Sequence, residues 1–285
     1  MTTALITSLL AVVTMVQQTD TTFPVQPNAR LRLSNPGGSV VVRTWDQNSV
    51  RIVAEHSRRS VIRVRNDPNT IVIDERTERG PGSIVEYEIT IPSTLDLQLG
   101  GNYSDFDVQG VTGQISIQSL DGNIKVSGGR ERIKLHSVQG AIDLSDAQGK
   151  IEVETVNDRI TVSRSSGELT AETVNGRIML LDVDFSNAEA STFNGSITHN
   201  GAIHENGSYF FATHMGSINF TVPEGTNATI SVATGKGNFR ADFEVERPEN
   251  GKKRFQFTLG SGGALVELES FAGRISLRRP DGEEE

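Results

Sequence analysis

Residues 113–180 read GQISIQSLDGNIKVSGGRERIKLHSVQGAIDLSDAQGKIEVETVNDRITVSRSSGELTAETVNGRIML. Within this stretch a β-branched residue or Leu returns every nine positions, as Ile115, Ile124, Ile133, Ile142, Ile151, Ile160, Leu169 and Ile178. Two residues after each stands a second apolar side chain: Ile117, Val126, Leu135, Leu144, Val153, Val162, Ala171 and Leu180. Two residues before most of them stands a glycine, as at Gly113, Gly122, Gly140, Gly149, Gly167 and Gly176. Side chains at i and i+2 point to one face of a strand, so each unit is a short strand with one buried side. No 3.6-residue periodicity competes with this reading. The glycines are expected to supply positive φ at corners. A buried Ile, Val or Leu contributes about 1.5–3 kcal/mol against ~1–2 kcal/mol of backbone entropy per residue, so one unit cannot fold alone and stacked copies can.

A longer period lies over the shorter one. The run from Gln118 to Gly122 (QSLDG) is echoed at His136–Gly140 (HSVQG), Glu154–Asp158 (ETVND) and Glu172–Gly176 (ETVNG), and with one residue inserted at Ser191–Gly195 (STFNG). The intervening corners differ, so one coil is 18 residues with two strands and two kinds of corner. Coils stack at about 4.8 Å, which places Asp121, Gln139, Asn157, Asn175 and Asn194 in one polar ladder. Fainter echoes occur downstream at Ala212–Gly216 with Ile218 and Phe220, at Gly235–Gly237 with Phe239, and at Glu269–Gly273 with Ile275 and Leu277. Upstream they occur at Gly38–Val42 and Val50–Ala54. Between residues 55 and 100 apolar residues alternate without a fixed period, which predicts antiparallel strands or irregular coils broken at Pro68 and Pro92. The predicted fold is all-β, a single-stranded β-helix-like solenoid with coils of about 18 residues, preceded by less regular strands.

The chain has 285 residues, 28 Gly and no Cys, which excludes disulfides, thiolate metal sites and a lipid-bearing N-terminal cysteine. Ala4 to Val16 is uncharged and too short to span a bilayer, so the first 20 residues are expected to be an export signal cut between Val16 and Asp20. No membrane span is expected after its removal. The predicted division is an export signal at 1–20, an irregular β region at 21–110, solenoid repeats at 111–278 and an acidic disordered tail at 279–285. Net charge is −9, with +3 over residues 1–80 and −12 over residues 81–285, an acidic body unsuited to nucleic acid.

The segment NPGGSVVVRTWD from Asn35 to Asp46, followed by Val50-Arg51-Ile52, resembles the opening of the bacterial putative-adhesin β-strand-repeat family, an exported domain of unknown function. The repeats at 111–180 and the ending from Gly260 to Leu277 are similar to its body and close, so the resemblance covers residues 25–278. It implies an exported β-solenoid, periplasmic or at the cell surface, and supplies no catalytic residue.

Calcium-filled nonapeptide coils need a recurrent Gly-Gly-x-Gly-x-Asp, and Asp121, Asp143 and Asp146 do not recur in that way. His199, His204 and His214 fall near Glu205 but not at chelating intervals, and His214 takes the slot of Val138, Val156 and Val174, which predicts a corner or semi-buried position. Glu154 and Glu172, with Glu152 nearby, fit the spacing of a retaining glycosidase pair only on distance. They also belong to the repeat, and Trp45, Tyr87, Tyr103 and Tyr209 are scattered. Arg58, Arg59, Arg63 and Arg65 read as a solvated strand face, with Val61, Ile62 and Val64 on its apolar side. The sequence therefore assigns no catalytic, cofactor or metal residue. It predicts a non-enzymatic binding or scaffolding module whose outward ladders (Ser116, Lys125, Lys134, Asp143, Glu152, Thr161, Thr170) meet an envelope or surface component, protein or polysaccharide. The alternatives are a polysaccharide-active enzyme and a self-assembling structural protein.

Overall fold

The computed structural model describes residues 17–77, 84–245 and 253–280, and among them there are 23 strands and no helix. The N-terminal group is β1 (Gln17–Pro24), β2 (Arg30–Trp45), β3 (Ser49–His56), β4 (Ser60–Asp67), β5 (Thr70–Thr77) and β6 (Glu86–Pro92). The body follows with β7 (Asp96–Val111), β8 (Ile115–Asp121), β9 (Ile124–Gly128), β10 (Arg130–Gln139), β11 (Ile142–Ser145), β12 (Gln148–Thr155), β13 (Ile160–Ser163), β14 (Ser166–Thr173) and β15 (Ile178–Asn194). The C-terminal part holds β16 (Ile197–Gly201), β17 (Ser208–Met215), β18 (Ile218–Thr221), β19 (Ala228–Thr234), β20 (Asn238–Ala241), β21 (Arg254–Leu259), β22 (Ala264–Ser270) and β23 (Arg274–Arg278).

Parallel pairing of β8, β10, β12 and β14 sets Ile115, Ile133, Ile151 and Leu169 over one another. On the opposite wall β9, β11, β13 and the start of β15 stack Ile124, Ile142, Ile160 and Ile178. All eight are at most 3% exposed. Nine residues therefore carry the chain from one wall to the other, and 18 return it to the same seat. The register also runs upstream, where Leu31 and Leu97 lie in line with Ile115, and Val40 and Phe106 in line with Ile124.

Downstream the spacing lengthens. A bulge at Ser186 makes Ile178 and Ile197 partners, and Ile197 then pairs with Ile218. The last strands of the chain are inserted out of order, with β22 and β23 between the β17/β18 coil and the β19/β20 coil. Similarly, β2 lies between β7 and the β5/β6 pair. Antiparallel strands flank both ends: β21 on β19, β4 on β5, and β1 on β3 on β6. These include the antiparallel strands expected between 55 and 100. Pro68 sits in the β4–β5 turn and Pro92 ends β6. Such flanking strands cover backbone edges that a bare coil would present.

The recurring corner is held by three devices. Ser119, Ser137, Thr155, Thr173, Thr192, Thr213 and Ser270 point inward, and each hydroxyl donates to a backbone carbonyl of a neighbouring coil at 2.9–3.3 Å. Outside, the polar ladder is bonded where it is Asn: Asn194 donates to Asn175 at 2.8 Å and Asn175 to Asn157 at 2.9 Å. The glycines bear out the expectation from sequence in part. Gly122, Gly140, Gly149 and Gly167 have a positive φ, but Gly113 and Gly176 lie outside the left-handed region, and a Cβ on Gly176 would sit 1.8 Å from the carbonyl oxygen of Asp158. Close approach of stacked backbones, not φ, demands glycine at that position.

The core changes character along the axis. Aliphatic stacks give way near Ala188 and Ala190 to Tyr209, Phe211 and Phe220, all fully buried. Among these rings His199 occupies an inward seat between Leu180 and Phe220, 1% exposed, which corrects the corner or semi-buried position expected for it. Its ring stacks on Phe220 at 4.5 Å between centroids, and neither nitrogen has a hydrogen-bond partner among the described residues. Burial pushes the imidazole down to about 4.

Of the expected export signal, residues 1–16 lie outside the described residues, while Gln17–Asp20 belong to β1, where Asp20 pairs with Arg51 at 2.7 Å. Of the expected tail, residues 281–285 lie outside them. Arg279 donates to the Val222 and Pro223 carbonyls at 3.2 and 3.0 Å. No helix among the described residues is long and apolar enough to cross a membrane.

Two stability measurements check this architecture. Ile151→Asp places an unpaired charge inside the stack and should cost about 3–5 kcal/mol, whereas outward Lys150→Asp should cost under about 1 kcal/mol. Equal losses in denaturant melts would refute the assigned facing. For His199, the unfolded imidazole titrates near 6.5 and the folded one near 4, so the unfolded state binds the extra proton between them. Stability is therefore expected to fall by about 3 kcal/mol as pH drops from about 6.5 to about 4, and to level off below. His199→Leu should remove that part of the acid loss, and an unchanged pH profile would contradict it.

Candidate functional site

Strand alternation dictates what each outer column presents. On the wall of β10 and β12, Ser116, Lys134, Glu152 and Thr170 form one outward column, and Lys125, Asp143 and Thr161 form another on the opposite wall. The ladders expected as one interaction surface thus lie on two faces. Each carries an ion pair: Lys134 with Glu152 at 2.5 Å within the first column, and Asp143 of the second with Arg159 at 3.1 Å. At the second kind of corner, Asp146 and Arg164 both adopt positive φ and bond through two contacts of 2.9 and 3.0 Å. The Arg164 hydrogen bonds hold the Asp146 carboxyl down at about 2. The arginine stretch is likewise engaged, with Arg63 and Arg65 both on Asp74. Its apolar side is Ile62 and Val64 only, because Val61 is exposed.

The column two residues before the corner glycines behaves differently. Pairing register aligns Leu120, Val138, Val156, Val174, Phe193, His214 and Phe271 in one row. Leu120, Val174, Phe193 and Phe271 are 45–51% exposed although each is apolar. At one residue per coil the row is about 29 Å long. It forms an apolar ridge on a surface otherwise rich in ion pairs.

Its C-terminal half is aromatic. His214 is stacked between Phe193 and Phe271 at centroid distances of 4.7 and 4.8 Å, with interplanar angles of 12° and 3°. Lys236 Nζ lies 5.8 Å from the Phe271 centroid. The rings cover one another's faces, so their edges form the solvent side. A cleft of about 710 Å³ runs beside them, lined also by Ala212, Ala233, Arg254 and Glu269. Arg254 and Glu269 pair at 2.7 Å. Sequence reading missed this surface. Its signal was the large apolar residue at an outward slot, visible in STFNG and ESFAG but masked by the Val of the earlier copies.

The other candidates are not assembled into a site. His199 is inside, His204 bonds Asp184 at 2.7 Å, and His214 is in the ridge. No three His, Asp or Glu side chains gather to hold a metal ion among the described residues. Glu154 and Glu172 are in register on an outer face, where Glu154 meets His136 at 3.2 Å, and neither lines the cleft. Of the scattered aromatics, Tyr87 and Tyr209 are buried in the core, Trp45 donates to the Ser49 carbonyl at 2.8 Å, and Tyr103 is exposed beside a polar trough with Asp121, Gln139 and Asn157.

The chain is similar to several solved structures at low identity and low TM-score. A Bacteroides fragilis protein described as a putative adhesin is 11% identical, covers 92% of this chain and 97% of its own, and has a TM-score of 0.42. A Parabacteroides distasonis protein described as a putative lipid binding protein is 11% identical, covers 93% and 97%, and has a TM-score of 0.44. A Clostridium sporogenes protein described as a putative cell adhesion protein is 10% identical, covers 93% and 100%, and has a TM-score of 0.27. Among curated proteins there is no match. The Toastrack DUF4097 family pattern matches residues 28–278, nearly the span of the resemblance seen in the sequence, and with the stacked coils in place the chain belongs to the Toastrack DUF4097 family.

Proposed function

We propose that this protein is a non-enzymatic, exported, adhesin-like binding module of the cell envelope, and that it grips a protein partner along the apolar ridge. One observation carries the reading: Leu120, Val174, Phe193 and Phe271 remain exposed in a single row on a surface whose other outward columns are polar or charged, several of them ion-paired. Removing such a row from water is favourable at roughly 25 cal/mol per Å² of apolar area, and an apolar centre with a polar rim is the usual anatomy of a protein contact. A polysaccharide is the weaker occupant of this row. Pyranose rings stack on aromatic faces, and here the faces of His214 and the inner faces of Phe193 and Phe271 are taken by one another. The scaffold supplies rigidity, since Leu120, Val138, Phe193 and His214 lie on stacked parallel strands, and the carbonyls of Val138, Val156 and Val174 accept backbone hydrogen bonds from the next coil.

Retention of the purified protein on envelope fragments of the producing cells tests this. Phe193→Ser with Phe271→Ser should lower retention at least tenfold while leaving the unfolding midpoint nearly unchanged, and protease treatment of the fragments should have the same effect. Retention that survives the double substitution, or that is lost to periodate oxidation of glycans and not to protease, would overturn the reading. Release of reducing ends from envelope polysaccharide that Glu154→Gln abolishes would replace it with an enzymatic one.

A further inference from the structure

The glycine-floored groove beside the ridge changes charge along the solenoid. Near its start it is walled by Asp105, Asp121, Gln139 and Asn157. At its far end it becomes a recess of about 480 Å³ lined by Lys236, Arg274, Arg278, Asn219, Asn238 and serines, with no carboxylate among the lining residues. The glycines are structurally required there, since a Cβ on Gly237 would lie 1.7 Å from the Gly273 carbonyl oxygen, so the floor stays open. Register brings the walls together from three separate segments, aligning Ser217, Arg274 and Asn238 across neighbouring coils.

The cations of this recess are uncompensated. Lys236, Arg274 and Arg278 form no ion pair among the described residues. The acid next to Arg278, Asp242, is paired with Arg240 at 3.4 Å. Arg274 is held in place by a 3.1 Å hydrogen bond from its Nε to Asn238 Oδ1, which leaves the rest of its guanidinium to the recess. Residues 253–280 carry five bases against two acids, inside the stretch 81–285 that is otherwise strongly acidic. Arg274 and Arg278 lie four residues apart on β23, about 13 Å along the strand, too far to share one small anion.

We propose that this recess binds an anionic, polyhydroxylated polymer carrying phosphate or uronate groups. The arginines take successive negative groups through their planar forks, and the amides of Asn219 and Asn238 with the Ser217 hydroxyl meet the polymer's hydroxyls. The acidic body repels the remainder of the polymer, so contact is confined to the C-terminal end of the rod. This site is distinct from the ridge and meets it at one point, where Lys236 lies over the Phe271 ring.

Affinity for a poly(glycerol phosphate) and for polygalacturonate, measured by calorimetry over a salt series with neutral dextran as a blank, tests the proposal and tells the two anionic sources apart. Binding of either anionic polymer should weaken with salt. Arg274→Gln with Arg278→Gln should lower it at least tenfold and make the salt dependence shallower, as expected when two anionic contacts are lost. Arg63→Gln with Arg65→Gln, at the other end of the molecule, should leave it unchanged, as should Phe193→Ser. Any of four results would overturn the proposal: no binding of either polymer, equal loss in both arginine pairs, equally tight binding of inorganic phosphate alone, or equally tight binding of a single-stranded oligonucleotide.

Discussion

In the regular body of this molecule inward aliphatic side chains sit on near-copies of themselves one coil away, and that stacking constrains everything else. Ile142 between Ile124 and Ile160 is the pattern in miniature. Parallel pairing at about 4.8 Å leaves no room for a change of register, because a slip by one residue would turn the apolar set outward. The corners must obey the same spacing. Hydroxyls reach carbonyls of the adjacent coil, and a backbone passes so near Gly176 that no side chain fits. What the sequence repeats is therefore a set of answers to one steric problem.

The same alternation that fills the core also decides the surface. Inward seats fix which residues face out, and several outward columns carry ion pairs or amide ladders along the axis. Two surfaces stand apart. The ridge stays apolar and grows aromatic toward the C-terminal end, and the adjacent groove there holds cations without an ion pair among the described residues. Both follow the solenoid axis, and together they make the C-terminal third of the rod chemically unlike the rest.

The regular body was legible because eight seats at one interval leave little freedom, and the 18-residue echo of the corner motif distinguished its two corners. The order of the last coils was not. Tyr209 pairs with Val266 across a long separation, and the coil from Ala228 to Ala241 comes between them in sequence but not in space. Nothing local in the sequence marks that exchange. The ridge was half visible: STFNG and ESFAG were recognised as repeats, yet the outward parity of Phe193 and Phe271 follows only once the hydroxyl beside each is known to point in. The basic recess was hidden by averaging, since Lys236 and the Arg274/Arg278 pair come from separate segments of a stretch, residues 81–285, whose net charge is −12. His199 was misplaced for a related reason, because its seat is apolar in every preceding coil.

Excision of whole and half coils tests most directly whether 18 residues are the structural unit. Removing residues 142–159 brings Ile160 into the seat of Ile142 with both kinds of corner still matched. Removing residues 142–150 keeps the apolar period but sets one kind of corner over the other, breaking the hydroxyl and glycine contacts. The whole-coil deletion should unfold cooperatively with a slightly smaller denaturant dependence, and the half-coil deletion should lose its cooperative transition. Equal tolerance of both deletions, or collapse of the whole-coil form alone, would contradict the stacked-coil account.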